Sequence, residues 1–346
     1  MVEGPTRGHR VRGAVSLVTV GAFVLIIVTK RAALARSLGH LGHPHWSWIP
    51  LAVAFELASM GTFALMQRQL LGSGGRLVDH RPMMATILAA NALSVSVPVA
   101  GPELGAAFTF RRFKKLGADT PLASWTVLVG GLASWVGGIV VLVAGGALSG
   151  NALVTAVAIT AGLLAVAAGA VGRAVLGRPL LPPRLERPAA WVVARVARLM
   201  SRPVDDPPQA IRNWLKGLES LRLSWPEWTK VGGYGVANWL ADAGVLAISI
   251  LAIGAPVPWR ALLLVYGLAM VVGSLGITPG GIGLVEGTLC VGLVSTGVPA
   301  ALALAAVLLY RLVSFWLVTA VGWLVLLYLR LERPARALSL QGSVSA

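Results

Sequence analysis

Apolar runs long enough to cross a bilayer alternate with short polar breaks along most of this chain. The first covers residues 11–28 and the second 46–66, with Trp46 and Trp48 at its start, where tryptophan suits the membrane interface. A broken region, 83–110, follows, with Pro98, Gly101, Pro102 and Gly105 around Glu103. Clean runs resume at 122–148 and 152–172. A second set opens with 231–253 and 259–277. It continues through the break Thr278-Pro279-Gly280-Gly281-Ile282-Gly283-Leu284-Val285-Glu286-Gly287, an apolar tail to Ser295, and a last run of 30 residues at 300–329. Each crossing needs roughly 20 apolar residues. The pattern therefore predicts an all-α polytopic membrane protein with about six full transmembrane helices and two re-entrant helical hairpins.

The expected organisation is a cytoplasmic N-terminus (1–10) and a first membrane half (11–172) with a hairpin at 83–110. A basic cytoplasmic loop (173–229), a second half (230–330) with a hairpin at 259–298, and a cytoplasmic tail (331–346) follow. Arg7, Arg10 and Arg12 ahead of the first run also suit a signal peptide. Lys30 and Arg31 directly after it favour an uncleaved helix. Within the loop, 189–200 (AAWVVARVARLM) and 211–223 (IRNWLKGLESLRL) set apolar residues at helical spacing against cations. That suits helices lying in the interface and equally suits solvated linker helices.

Composition narrows the class. Charged residues are 12% and hydrophobic ones 56%, against about 25% charged in soluble domains. No room is left for a large soluble catalytic domain. One cysteine, Cys290, excludes an internal disulfide and a metal–thiolate cluster. The net charge of +16 comes from loops, as in most inner-membrane proteins, and no basic domain stands alone to bind nucleic acid. With both broken segments entering and leaving on one side, 24 of the 29 Lys and Arg residues fall on the side of the N-terminus. The positive-inside rule then puts both termini in the cytoplasm of a cell whose inner (plasma) membrane holds the chain.

This topology has the form of an inverted repeat. A span with one acid precedes each hairpin, Glu56 and Asp242, and each hairpin carries a Pro-Gly break followed by a glutamate, Glu103 and Glu286. The acid-to-acid spacings are 47 and 44 residues. Broken helices of such repeats meet near the midplane and form binding sites. Freed backbone there must be buried in protein or face water, which predicts an internal, partly wet cavity whose half-helix N-termini attract anions. A charge at the bilayer centre costs about 2.5–3.5 kcal/mol on insertion scales, so Glu56, Glu103, Asp242, Glu286 and Arg311 should face inward and pair. Arg311 is expected to meet Glu286 first and Glu103 second. The alternative is that the same residues only lock the two hairpins together, and that Glu56 is a packing or folding contact with no transport role. Asn91, Ser94, Ser96, Asn238 and Ser274 could line the cavity or bond neighbouring carbonyls.

No P-loop, His-Glu-x-x-His or Gly-x-Ser-x-Gly pattern occurs, so neither an ATP-driven pump nor a familiar catalytic constellation is expected. His40, His43 and His45 read as loop rather than a metal site. No metal and no cofactor is expected.

The stretch Ile277–Gly287, followed by Leu308-Leu309-Tyr310-Arg311-Leu312-Val313-Ser314-Phe315-Trp316, resembles the signature of the lysylphosphatidylglycerol synthase transmembrane-domain family. That family includes the flippase domain of the multiple peptide resistance factor. Asn91…Pro98…Gly101-Pro102-Glu103-Leu104-Gly105…Arg111-Arg112 resembles its other motif in a looser form, and the resemblance spans roughly residues 10–335. The family pattern has an arginine in the span after the first hairpin, where this chain reads Val127-Leu128-Val129-Gly130-Gly131. The resemblance implies two re-entrant hairpins and lipid handling. Aminoacyl transfer belongs to a separate soluble domain, expected to be absent from a chain that stops at Ala346, so no synthase or other enzymatic activity is expected. The sequence thus points to a flippase or transporter of lipids or lipid-linked substrates. Its expected partners are membrane lipids with anionic headgroups, and a homo-oligomer is compatible with it. The alternatives are a membrane scaffold for a separate lipid- or glycan-modifying enzyme, and an intramembrane enzyme using Glu103 and Glu286. The candidate substrate-binding residues are Glu103, Glu286, Arg311, Asn91, Pro279, Gly280, Gly281, Glu56 and Asp242.

Overall fold

The computed structural model describes residues 45–97, 100–150, 152, 156, 159, 160, 221, 223–274 and 278–342. The expected spans at 11–28 and, but for four residues, 152–172 lie outside the described residues. So do Pro98, Ile277 and the expected amphipathic helices at 189–200 and, largely, 211–223.

All described elements are helical. They are α1 (Ile49–Ser73), α2 (His80–Ser96), α3 (Gly101–Lys115), α4 (Thr120–Ser149), α5 (Trp225–Ala252), α6 (Trp259–Gly273), α7 (Leu284–Ser295), α8 (Ala300–Arg311) and α9 (Val318–Gly342). A 3-10 turn (Trp46–Trp48) leads into α1, another (Pro279–Gly281) lies between α6 and α7, and a π-helical segment (Leu312–Leu317) joins α8 to α9. Four segments are long and apolar enough to span: Trp46–Ser73, Thr120–Ser149, Trp225–Ala252 and Ala300–Leu331. Trp259–Gly273 and Pro279–Ser295 are shorter apolar helices, of 10–17 residues.

Local sequence sets the helix ends. Asp119 accepts the Leu122 amide at 2.8 Å and starts α4. The Glu227 carboxylate accepts the Ser224 amide at 2.7 Å in a capping box that starts α5 inside the stretch assigned to the basic loop. Arg311 sits where the last apolar run leaves α-helical geometry for the π segment, a break the hydropathy pattern does not register. π-bulges concentrate at functional sites.

α1 and α5 pack antiparallel at the centre. The His45 amide donates to the Ala252 carbonyl at 2.8 Å at one end, and Gln69 Nε2 donates to Glu227 Oε1 at 3.5 Å at the other. Between them, Asn238 Nδ2 donates to the Ser59 carbonyl and hydroxyl, both at 2.9 Å. α2 folds back on α3, and α6 on α7. The α2–α3 contact is close because a Cβ on Gly101 would lie 1.9 Å from the Ser94 carbonyl oxygen, and one on Gly105 1.9 Å from the Ser94 hydroxyl. Small residues four apart permit such approach between membrane helices.

The long helix after each hairpin lies against the opposite hairpin. α4 packs on α6, and α9 on α2, where Trp323 Nε1 donates to Ser96 Oγ at 3.0 Å. The 279–281 turn touches α2. The main buried core gathers around α5, α6, α7 and α8, with Tyr266, Leu246, Ile250, Leu289 and Leu293 fully enclosed.

Candidate functional site

The 278–287 break forms the site's floor. Gly280, Gly281 and Gly283 take φ of 55°, 68° and 84°, a region costing other residues roughly 1–2 kcal/mol each. Gly280 is also sterically required, since a Cβ there would lie 2.2 Å from the Phe315 ring. Pro279 opens the turn. The chain then enters α7, whose first turn carries Glu286. The Glu286 Oε2 accepts the Gly283 amide at 2.6 Å, so the carboxylate caps its own helix. A glutamate soon after a break is favourable there, because an anion complements the N-terminal end of the helix dipole.

Arg311 clamps this turn to the last span. Its Nε donates to Glu286 Oε1 at 2.6 Å, its Nη2 donates to the Gly280 carbonyl at 2.9 Å, and its guanidinium lies 4.1 Å from the Phe315 ring centroid. The side chains of Arg311 and Glu286 are 8% and 19% exposed. The pairing expected first from the sequence, Glu286 with Arg311, is therefore made. The second expected partner, Glu103, is exposed in the first turn of α3. A guanidinium has five N–H donors. Glu286 and Gly280 each engage one, so further donors stay available beside a half-buried carboxylate.

A second cluster adjoins the clamp, because Tyr310 directly precedes Arg311. Asp242 Oδ2 accepts the Tyr266 hydroxyl at 2.6 Å, and both its oxygens accept from the Tyr310 hydroxyl, at 3.2 and 3.1 Å. Asp242 is within electrostatic reach of Arg311. Across the α1–α5 crossing it interacts with Glu56, which is 3% exposed and whose Oε2 is buried with no hydrogen-bond partner.

The candidates divide accordingly. Glu286, Arg311, Pro279, Gly280 and Gly281 form the clamp, while Glu56 and Asp242 lie together beside it. Glu103 and Asn91 lie on the first hairpin and make no hydrogen bond to the clamp. Tyr266, Tyr310, Phe315 and Gly283 were missing from the candidate list. Tyr310 and Phe315 flank Arg311 in sequence, which was a readable signal, but nothing marks Tyr266 except a hydroxyl in an apolar run. Among the described residues, no group of three or more His, Cys, Asp or Glu is placed to hold a metal.

A polytopic helical membrane protein with a charged clamp at a broken helix is the class these features define. The chain belongs to the lysylphosphatidylglycerol synthase transmembrane region family, whose pattern matches residues 13–322. It is 31% identical over 117 residues to a UPF0104 membrane protein of Methanothermobacter thermautotrophicus, covering 33% of this chain and 35% of that one. A UPF0104 membrane protein of the same organism matches at 26% identity over 141 residues, 40% of this chain and 42% of that one. The chain thus spans well under half the length of the curated relatives it matches.

Proposed function

We propose that this protein moves a lipid, or a lipid-linked substrate, with an anionic headgroup across the membrane, without covalent chemistry. The observation that carries the reading is the Arg311 clamp: a buried guanidinium with donors to spare, fixed beside a break in the membrane helices. Guanidinium and phosphate match in geometry and charge. The headgroup would pass Arg311 between the two hairpins while the acyl chains stay in lipid.

On this reading the two halves are inverted repeats. α1 corresponds to α5, the α2–α3 hairpin to α6–α7, and α4 to α8 with α9. Reciprocal packing supports it, since each hairpin's first limb lies against the long helix that follows the other hairpin. The hairpins also enter from opposite ends. Gly74 and Gly117 lie by Leu122 and Arg76 at one end, while Gly145 meets Leu264 towards the other. Cations crowd the first end, with Arg68, Arg76, Arg81, Arg111, Arg112, Lys114, Lys115 and Lys230, which supports a reading with that end in the cytoplasm and the chain in the plasma membrane.

The test is reconstitution of the purified protein in liposomes with a labelled anionic lipid. Lipid should redistribute between leaflets without a second protein and without new lipid products. Redistribution only after adding a lipid-modifying enzyme would replace this reading with that of a scaffold, and new products would make it an enzyme.

A further inference from the structure

Glu56 is out of place as an ion. It is 3% exposed, its Oε2 has no hydrogen-bond partner, and its charged neighbour across the α1–α5 crossing is another acid, Asp242. Two carboxylates brought together away from water do not both stay ionised, and a charged group inside a membrane segment needs a partner. The hydrogen bonds say which one keeps its charge. Asp242 accepts from two tyrosine hydroxyls at 2.6 to 3.2 Å, whereas Glu56 has no such donor.

Among the described residues, the surroundings supply nothing else to neutralise it. The described ionisable groups facing Glu56 are Asp242 on α5, Tyr266 on α6 and Tyr310 on α8. α4, the 46–48 turn and the 312–317 segment contain no ionisable residue, and α2 has only His80 and Arg81, at the end adjoining the far end of α1. Arg311 bonds Glu286 and the Gly280 carbonyl, and the acid of the Glu56–Asp242 pair that its charge reaches is Asp242, not Glu56. A sodium ion would need several oxygen ligands, but the Asp242 oxygens already accept from O–H donors, and no metal-holding group occurs among the described residues.

We infer that Glu56 is a proton-binding site that couples the proposed lipid movement to protons, an inference that rests on the proposed function for its transport half. In the closed packing, Glu56 is the neutral acid beside the Asp242 carboxylate. When the α1–α5 crossing opens to one face, the Glu56 O–H bond breaks and the proton passes to water there. The carboxylate left behind takes a proton from the other face before the helices close again. The energy source is the proton gradient itself.

Two measurements separate the inference from the function it rests on. Infrared spectra of the protein in detergent at neutral pH should show the carbonyl stretch of a protonated carboxyl that Glu56→Gln removes and Asp242→Asn does not. Absence of that band overturns the proton site whatever happens to lipid. In liposomes, an imposed pH gradient should change the wild-type lipid rate several-fold, with proton flux reported by a trapped pH dye. Glu56→Gln should lose both responses, and Glu56→Asp should restore them. A wild-type rate indifferent to the pH gradient, or one that follows a sodium gradient instead, overturns the coupling. If the infrared band is present and Glu56-dependent while the wild type moves no lipid under any gradient, the proton site stands and the transport function falls.

Discussion

Removing Arg311 tests the clamp most directly. Arg311→Ala deletes the 2.6 Å bond to Glu286, the 2.9 Å bond to the Gly280 carbonyl and the stacking on Phe315. Breaking one side of a buried ion pair costs about 3–5 kcal/mol, because the remaining charge stays buried alone. Glu286 keeps the Gly283 amide and a side-chain exposure of 19%, which favours the lower end. Losing the ring contact adds about 0.5–2 kcal/mol. Glu286→Gln alone leaves the guanidinium with only a carbonyl, and should cost a similar amount. In the double variant neither charge is stranded, and a glutamine oxygen can still accept from Gly283. The two losses should therefore fall short of additive by about 2–3 kcal/mol, within the range of contacting pairs. Thermal unfolding in detergent reads this as a double variant that melts above the temperature the sum of the two single losses would give. Lipid movement in liposomes should stay lost in all three, since the donors for the headgroup are gone or misplaced. A double variant that melts at the sum of the two single losses would refute the pairing energetics. Wild-type lipid movement by Arg311→Ala would remove Arg311 from the site.

Gly280→Ala should lower the melting temperature by several degrees and slow lipid movement, because it forces a left-handed alanine against Phe315, whereas Gly287→Ala, with open space around it, should change neither. Tyr266→Phe and Tyr310→Phe should each destabilise by about 1.5–3 kcal/mol, the worth of a hydrogen bond to a charged group, read by the same melts. Gly105→Val should disrupt the first hairpin, since its side chain meets Ser94 and the Ala90 carbonyl, and intact-protein yield in detergent should fall. For orientation, with Cys290→Ala as background, a cysteine at Gly150 should react with an impermeant thiol reagent in intact cells and one at Gly74 should be shielded. The reverse pattern would invert the topology.

Hydropathy alone determined the helical membrane class, the position of both breaks and the families of residues at them. This is because bilayer thickness imposes a minimum apolar length and because only Gly and Pro interrupt such runs at low cost. Charge logic also reached the Glu286–Arg311 pair, since an arginine deep in an apolar run must find an anion. What it could not decide was which of two glutamates Arg311 meets. Glu103 and Glu286 occupy the same place after a break, and only the folding of α7 back towards α8 brings one to the guanidinium while the other stays at the surface. The same holds for Glu56 and Asp242. Their repeat-like spacing was visible along the chain, but their meeting across the α1–α5 crossing was not, nor was the choice of Asp242 rather than Glu56 by two tyrosines. Helix periodicity states which face a residue occupies. Which residue of another helix lies opposite is decided by how the helices pack, and so the unpartnered Glu56 carboxyl at the α1–α5 crossing is a property of the tertiary structure alone.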